Sequence, residues 1–367
     1  MSQTNNNKYK LYLNFEFLDE KSKKLEKINK EIEEDVFLAK KGKEIYPEKS
    51  QANISERNNE GLLFHIRMKN DIYKLESPIP KKNLYQTDDL INLLDNRLWF
   101  VLNSENIKKR EHPLFENDII RLGKFKYIIN EIYFNSDNSD NSEIKKEIND
   151  YDDVNADSEE IFLKNPEIEI KNYKNSKFCD SFHVCFCECK KNLIHYKCME
   201  KYMEENVNKS ENKKKTVKCY SIDNFNCKYC FKPYPTKFTL EKTKEEYDVI
   251  PIDIPENSSY IILESLGHKK DNNTTKTLYV VTLDEDIIKI GRNNNNDIII
   301  DEPSIGEENH AVIIFEKKNN RIILKSIDNK FDTAILIKKP LKMNENKLYL
   351  QTGKIKFEAN LNKKLIK

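Results

Sequence analysis

All eight cysteines of the chain fall between Cys179 and Cys230, and the spacing inside that stretch is what could do chemistry. Cys185-x-Cys187 is followed after seven residues by His195, His195-x-x-Cys198 comes next, and Cys227-x-x-Cys230 closes the set. Thiolate and imidazole pairs at such short separations suit tetrahedral zinc, because one tight turn aims both ligands at a single ion. The first ten residues, MSQTNNNKYK, carry no apolar run after their positive charge, so they do not read as a signal peptide. No stretch approaches the roughly 18 to 20 apolar residues that span a bilayer. These features point to an intracellular protein, cytoplasmic or nuclear, with no membrane span. In such a reducing setting clustered cysteines are metal ligands rather than disulfides.

The composition sets the frame around this cluster. At 367 residues the chain has room for two or three domains; charged residues make up 34% and hydrophobic ones 38%, so its cores are small and joined by solvated segments. A net charge of +1 argues against a chain-wide preference for nucleic acid or anionic membrane. Lys190–Lys218 holds nine Lys against four Glu, but no aromatics interleave at a stacking interval, so it reads as a solvated face and not a nucleic-acid patch. A Gly-rich phosphate loop, a nucleophile elbow and an H-E-x-x-H helix are all absent from the sequence. With only seven Gly, Asn is expected to take over some left-handed turns.

Six segments follow from the patterning. Residues 1–60 are a charged N-terminal segment with one strand, Lys10–Phe17, and a helix predicted from the three- and four-residue spacing of Leu25, Ile28, Ile32 and Val36; Lys40–Asn59 is polar and turn-rich. Residues 61–134 are a β-rich domain of short β-branched and aromatic runs, with Trp99 in its core and His112-Pro113 in a turn. Residues 135–160 hold ten Asp or Glu against two Lys and form an acidic linker, since such a segment cannot bury enough surface to fold. The cysteine module occupies 161–240, a linker 241–259, and a β-sandwich 260–361, where nine strand-like runs follow at short, even spacing. The fold class is therefore mostly β and multi-domain, with a small α+β metal module in the middle.

The cysteine stretch resembles the RING-CH type of zinc finger. Cys185, Cys187, His195, Cys198, Cys227 and Cys230 match its C-x-C, H-x-x-C and C-x-x-C elements, with Met199, Tyr202, Met203 and Val207 as the apolar face of the intervening helix. The resemblance implies two interleaved sites. Cys185, Cys187, Cys227 and Cys230 complete one all-cysteine zinc site; His195 and Cys198 belong to a second, whose usual opening C-x-x-C is missing. Cys179, alone or with His183, is the substitute the sequence offers, so one or two Zn2+ ions are expected. Four ligands are needed to close a structural site. In the family the missing first loop faces a ubiquitin-conjugating enzyme.

The last hundred residues resemble the forkhead-associated (FHA) domain, a family that binds phosphothreonine peptides. Ile290-Gly291-Arg292 matches its I-G-R turn, His310-Ala311 the end of its S-x-x-H-A motif, and Thr333 its later turn. The stretch FENDIIRLGKFKYII resembles the end of an FHA domain too, which makes the N-terminal β region a second sandwich of the same kind. The module order is similar to that of a group of protist proteins combining RING-CH and FHA modules. The resemblance places Arg292, Ser304, His310 and Thr333 at a phosphopeptide site. Glu307 stands where the motif has Ser, and Asp332 where the later turn has Gly. At an effective dielectric near 20, two like unit charges 4 Å apart repel by about 4 kcal/mol, so ordinary phosphothreonine binding is not expected. The sequence reading is thus an interaction scaffold for protein partners, phosphorylated or not, with a RING-CH ubiquitin ligase as the alternative.

Overall fold

The computed structural model describes residues 9–18, 24–41, 43–49, 60–69, 72–77, 94–102, 111–135, 167–168, 183–184, 194–227, 229, 234–240, 243–266, 268–270, 273–328, 330–343 and 347–363. The fold is mostly β, built from several sheets. Alternation drives this. Along Tyr9–Leu18, Leu11, Leu13, Phe15 and Phe17 are buried while Asn14 and Glu16 face solvent, the period-two pattern of a strand with one wet face.

One long sheet organises the molecule. Its strand order is Asn208–Glu211, Val217–Ile222, Asn273–Thr282, Tyr260–Ser265, Phe125–Tyr133, Ile119–Leu122, Thr333–Leu336, Leu98–Val101, Leu348–Thr352, Ile355–Lys363, Tyr9–Leu18 and Leu25–Ile32. Two five-stranded sheets pack against it. Ile298–Ile299, Ile287–Gly291, Ala311–Glu316, Arg321–Ser326 and Glu111–Pro113 cover the first half; Leu341–Lys342, Ile72–Glu76, Glu60–Lys69, Val36–Lys41 and Glu44–Glu48 cover the second. Two separate cores result. Ile120, Tyr127, Leu263 and Val281 meet Ile290, Ile313 and Leu324 in one; Leu13, Phe15 and Phe357 meet Leu38, Phe64 and Leu75 in the other. The strands of 61–134 and of 260–361 do not each close a sheet of their own. Both sandwiches draw strands from both stretches.

Three local expectations are corrected. Leu25–Ile32 is a strand, not a helix, and Val36 begins the next one. A spacing of four is even, so Ile28 and Ile32 share a face in a strand as well as in a helix; they lie opposite Phe15 and Leu11 across the ladder, while Leu25 is left 59% exposed. The ladder with Tyr9–Leu18 decides between the two periods, as tertiary pairing routinely overrides local preference. Lys40–Asn59, read as a polar linker, carries the end of Val36–Lys41 and the strand Glu44–Glu48. His112-Pro113 likewise lies in a strand, opposite Leu324 and Ile323. Trp99 is fully buried, its indole N–H donating to the Leu94 carbonyl at 2.8 Å. Asn117, Asn224 and Asn320 have positive φ, as expected of Asn in a Gly-poor chain. The acidic stretch 136–160 lies outside the described residues.

Between Tyr133 and Tyr260 lies an insert whose strands Asn208–Glu211 and Val217–Ile222 form one end of the long sheet. The helix Tyr196–Asn206 buries Met199 and Met203, with Val207 just beyond, against Tyr220, Ile262 and Val280 on the outer face of that sheet; Tyr202 points to solvent. No helix among the described residues is long and apolar enough to cross a membrane.

Candidate functional site

The I-G-R turn sits at the end of Ile287–Gly291, where two loops meet. Gly291 is required by close approach: a Cβ there would lie 2.5 Å from Asn296 Nδ2 and 2.6 Å from the Glu308 carbonyl oxygen. The turn is laced together by backbone bonds, Arg292 N–H to Gly306 O at 3.0 Å and Asn293 N–H to Glu307 O at 2.9 Å. Asn296 donates from its amide to Asn293 Oδ1 at 2.8 Å, and Asn295 N–H donates to the same oxygen at 3.1 Å. Asn side chains thus hold the turn by the local bonds that suit them to non-regular backbone.

His310 braces the two loops from within. It is fully buried, and its Nδ1 accepts the Gly306 N–H at 3.2 Å. That bond places the ring proton on Nε2, which donates to Thr333 Oγ1 at 3.3 Å. Burial holds the imidazole below its ordinary pKa, against the opposing pull of Asp328 and Asp332. Thr333 is also fully buried. Ser304 Oγ accepts the Lys124 N–H at 3.2 Å, against the Gly123 turn. Of the four residues expected at a phosphopeptide site, His310 and Thr333 are therefore interior braces and Ser304 faces the Gly123 turn. Arg292 opens toward solvent, its guanidinium 3.5 Å from a Glu307 carboxylate that is itself 74% exposed. A shallow cleft beside it is lined by Lys289, Asn293, Asn295, Glu308 and Asn309. Its walls carry both signs of charge.

Asp297, a residue the sequence reading passed over, ties this turn to the insert. Its carboxylate accepts the Lys289 N–H at 2.9 Å and is met by Asn212 Nδ2 at 3.3 Å and Lys214 Nζ at 3.5 Å. Asn212 and Lys214 belong to the hairpin of Asn208–Glu211 and Val217–Ile222, which extends the long sheet from within the expected cysteine module. No local signal marks Asp297, since its partners lie some 80 positions upstream.

Of the expected zinc ligands, Cys179, Cys185, Cys187 and Cys230 lie outside the described residues. Cys227 is fully buried, and its Sγ accepts the Tyr229 N–H at 3.5 Å. A backbone N–H onto sulfur two residues back is what a C-x-x-C turn gives a thiolate, so this residue fits a metal ligand. Cys198 stands in the first turn of the Tyr196–Asn206 helix. The backbone of His195 is paired directly opposite His183 in a two-stranded ladder, which brings these two positions side by side. Cys219 belongs elsewhere. It lies in Val217–Ile222 opposite Ser210 and Tyr279, and burial raises its thiol pKa. Among the described residues no three His, Cys, Asp or Glu side chains stand together as a metal cluster.

No family model, curated protein or solved structure matches the chain.

Proposed function

We propose that this chain is an intracellular interaction scaffold, in which a RING-CH-like finger is carried by FHA-like sandwiches and the loops around Arg292 engage a protein partner without strong phosphothreonine binding. The observation that carries this reading is the ion pair between Arg292 and Glu307 above a buried His310–Thr333 brace. A phosphate approaching Arg292 would meet the Glu307 carboxylate. At 4 Å and an effective dielectric near 20 each pair of like charges costs about 4 kcal/mol, and a phosphate carries nearly two. The Thr333 hydroxyl and the His310 imidazole, which could offset this repulsion, are buried and bonded to each other inside the fold. A partner with mixed charge suits a cleft lined by Lys289 and Glu308 better than a dianion does.

The finger's part is structural. Cys185, Cys187, Cys227 and Cys230 would hold one zinc; His195 and Cys198, with Cys179 and His183, would hold a second. Bound zinc would cross-link segments too short to bury a core of their own. The hydrogen bond onto Cys227 Sγ and the pairing of His183 with His195 support both sets.

The test is a degenerate phosphothreonine peptide library, read by binding to the parent chain and to Glu307→Ser. The parent is expected to show no phosphate-dependent binding. Glu307→Ser, which removes the repulsive carboxylate and restores the motif's hydroxyl, is expected to gain some. Phosphate-dependent binding by the parent that Arg292→Ala abolishes would overturn the reading. Self-ubiquitination with purified components tests the ligase: transfer abolished by Cys227→Ser would replace the scaffold by an enzyme.

A further inference from the structure

The strands before and after the insert come in the same order. Among the described residues, seven run from Tyr9 to Val101, followed by Glu111–Pro113, Ile119–Leu122 and Phe125–Tyr133. Setting aside His268–Lys270, a short extension paired only with its neighbour, seven run from Tyr260 to Leu336, followed by Leu341–Lys342, Leu348–Thr352 and Ile355–Lys363. Neighbours match as well. In each series the first strand pairs with the second, the third with the fourth and fifth, and the fifth with the sixth; the one difference is that the third and fourth run antiparallel in the first series and parallel in the second. The eighth, ninth and tenth strands, however, pair with the sixth, seventh and first strands of the other series.

The turns repeat at the level of residues. The last hairpin reads Gly123-Lys-Phe-Lys-Tyr127 in one series and Gly353-Lys-Ile-Lys-Phe357 in the other. Both glycines take the left-handed conformation, at φ +57° and +55°. The seventh strands meet antiparallel with Phe100 opposite Ile335, flanked by Trp99 opposite Leu336 and Val101 opposite Ala334. The closing bonds are reciprocal, Leu102 N–H to Thr333 O at 2.8 Å and Ile337 N–H to Leu98 O at 2.9 Å. Arg121 and Gln351, each two residues before its glycine, bond to each other at 2.6 Å. Lys126 and Lys356, each three residues after, pair with Asp95 at 2.7 Å and Asp332 at 2.6 Å. A contact between equivalent residues is the mark of a two-fold axis.

We propose that residues 9–133 and 260–363 are two copies of one ten-strand unit, and that the groove left open by the first seven strands of each copy is the docking site for the last three strands of the other. The equivalent residues Tyr127 and Phe357 fill the two grooves. Phe357 enters the N-terminal groove, 4.8 Å from the Phe64 ring and 5.1 Å from Phe15. Tyr127 enters the other groove, its ring 6.0 Å from that of Tyr279. Each groove thus receives an aromatic side chain from the same position of the other copy's last hairpin. The insert fits this account. Tyr133 and Tyr260 are cross-strand partners with rings stacked 5.3 Å apart, so the first copy's last strand lies beside the second copy's first strand.

The test uses the full chain with a specific protease site placed in the acidic stretch 136–160 and cysteines at Asn14→Cys and Glu358→Cys. These positions face each other across the ladder of Tyr9–Leu18 and Ile355–Lys363, with Asn14 Nδ2 3.5 Å from Glu358 Oε1. All native cysteines lie beyond the cut, so the N-terminal fragment carries none. After oxidation and cleavage, most of the chain is expected to run as one full-length species on a non-reducing denaturing gel and as two fragments after reduction. Asn14→Cys alone is expected to leave the fragments separate. Two unlinked fragments from the double variant would overturn the proposal, and so would a covalent species of twice the mass in the oxidised sample before cleavage, which would place the exchange between chains. A second readout needs no cysteine: the cleaved parent is expected to elute as one 1:1 complex until denaturant is added, and separation in native buffer would also overturn the proposal.

Discussion

Replacing Thr333 by Val keeps the β-branched shape and the strand preference but removes the hydroxyl that receives the His310 Nε2 proton. Both side chains are fully buried, so water cannot take over the bond. The other ring nitrogen is engaged by Gly306 N–H, so the ring cannot reverse its tautomer without losing that bond as well. An unsatisfied buried donor costs about 1–3 kcal/mol, and that is the loss of unfolding free energy expected for Thr333→Val in urea titrations at pH 7.5. Thr333→Ser keeps the hydroxyl and loses one methyl, about 1 kcal/mol by transfer. Because the brace fixes the 300–310 loop against the I-G-R turn, Thr333→Val is also expected to speed amide exchange at Arg292 and Asn293. A Thr333→Val chain within about 0.3 kcal/mol of the parent and no less stable than Thr333→Ser would refute the brace, since the stated range leaves no room for that result.

Three further outcomes follow from the same geometry. Burial holds His310 and His112 below the ordinary imidazole pKa, so on acidification the unfolded chain takes up those protons first. Their contribution to stability is complete above about pH 6.5 and is lost below it, by at most about 1.4 kcal/mol per group per pH unit. His65 has the opposite sign. Burial alone would lower its pKa, but Glu76 and Asp35 raise it, so its contribution is present below the unfolded pKa and is lost as pH rises through the folded one; His65→Gln is expected to steepen the acid-side fall in urea midpoint. Phe357→Ala, emptying a site between Phe15 and Phe64, is expected to cost about 3–5 kcal/mol in the same titrations. Cys219→Ser, whose thiol lies in the long sheet, is expected to leave bound zinc unchanged by elemental analysis.

Local signals carried much of this structure. The alternating runs of 260–359 gave their strands, because one wet face and one dry face imprint period two on the sequence. Gly291, His310 and, apart from the exposed Tyr202, the buried face of the Tyr196–Asn206 helix could be picked out by residue type and spacing. The route of the strands could not. Phe15 pairs with Phe357 across more than 300 positions, and nothing in either segment alone names its partner. The stripe of Leu25, Ile28 and Ile32 misled for a related reason: a four-residue spacing serves both periods until a neighbouring strand selects one. At the candidate site, the sequence placed Thr333 and His310 with Arg292 and left His310 to brace the loops, but could not tell that Thr333 is a buried brace as well and not a ligand contact. That distinction is made by burial.

The central claim, a scaffold whose finger is held by zinc through Cys227, is tested most directly by native mass spectrometry of the intact chain. At least one zinc ion per chain is expected, with one fewer in Cys227→Ser and no change in Cys219→Ser. A parent chain that carries no zinc, or a Cys227→Ser chain that carries as much as the parent, would contradict it.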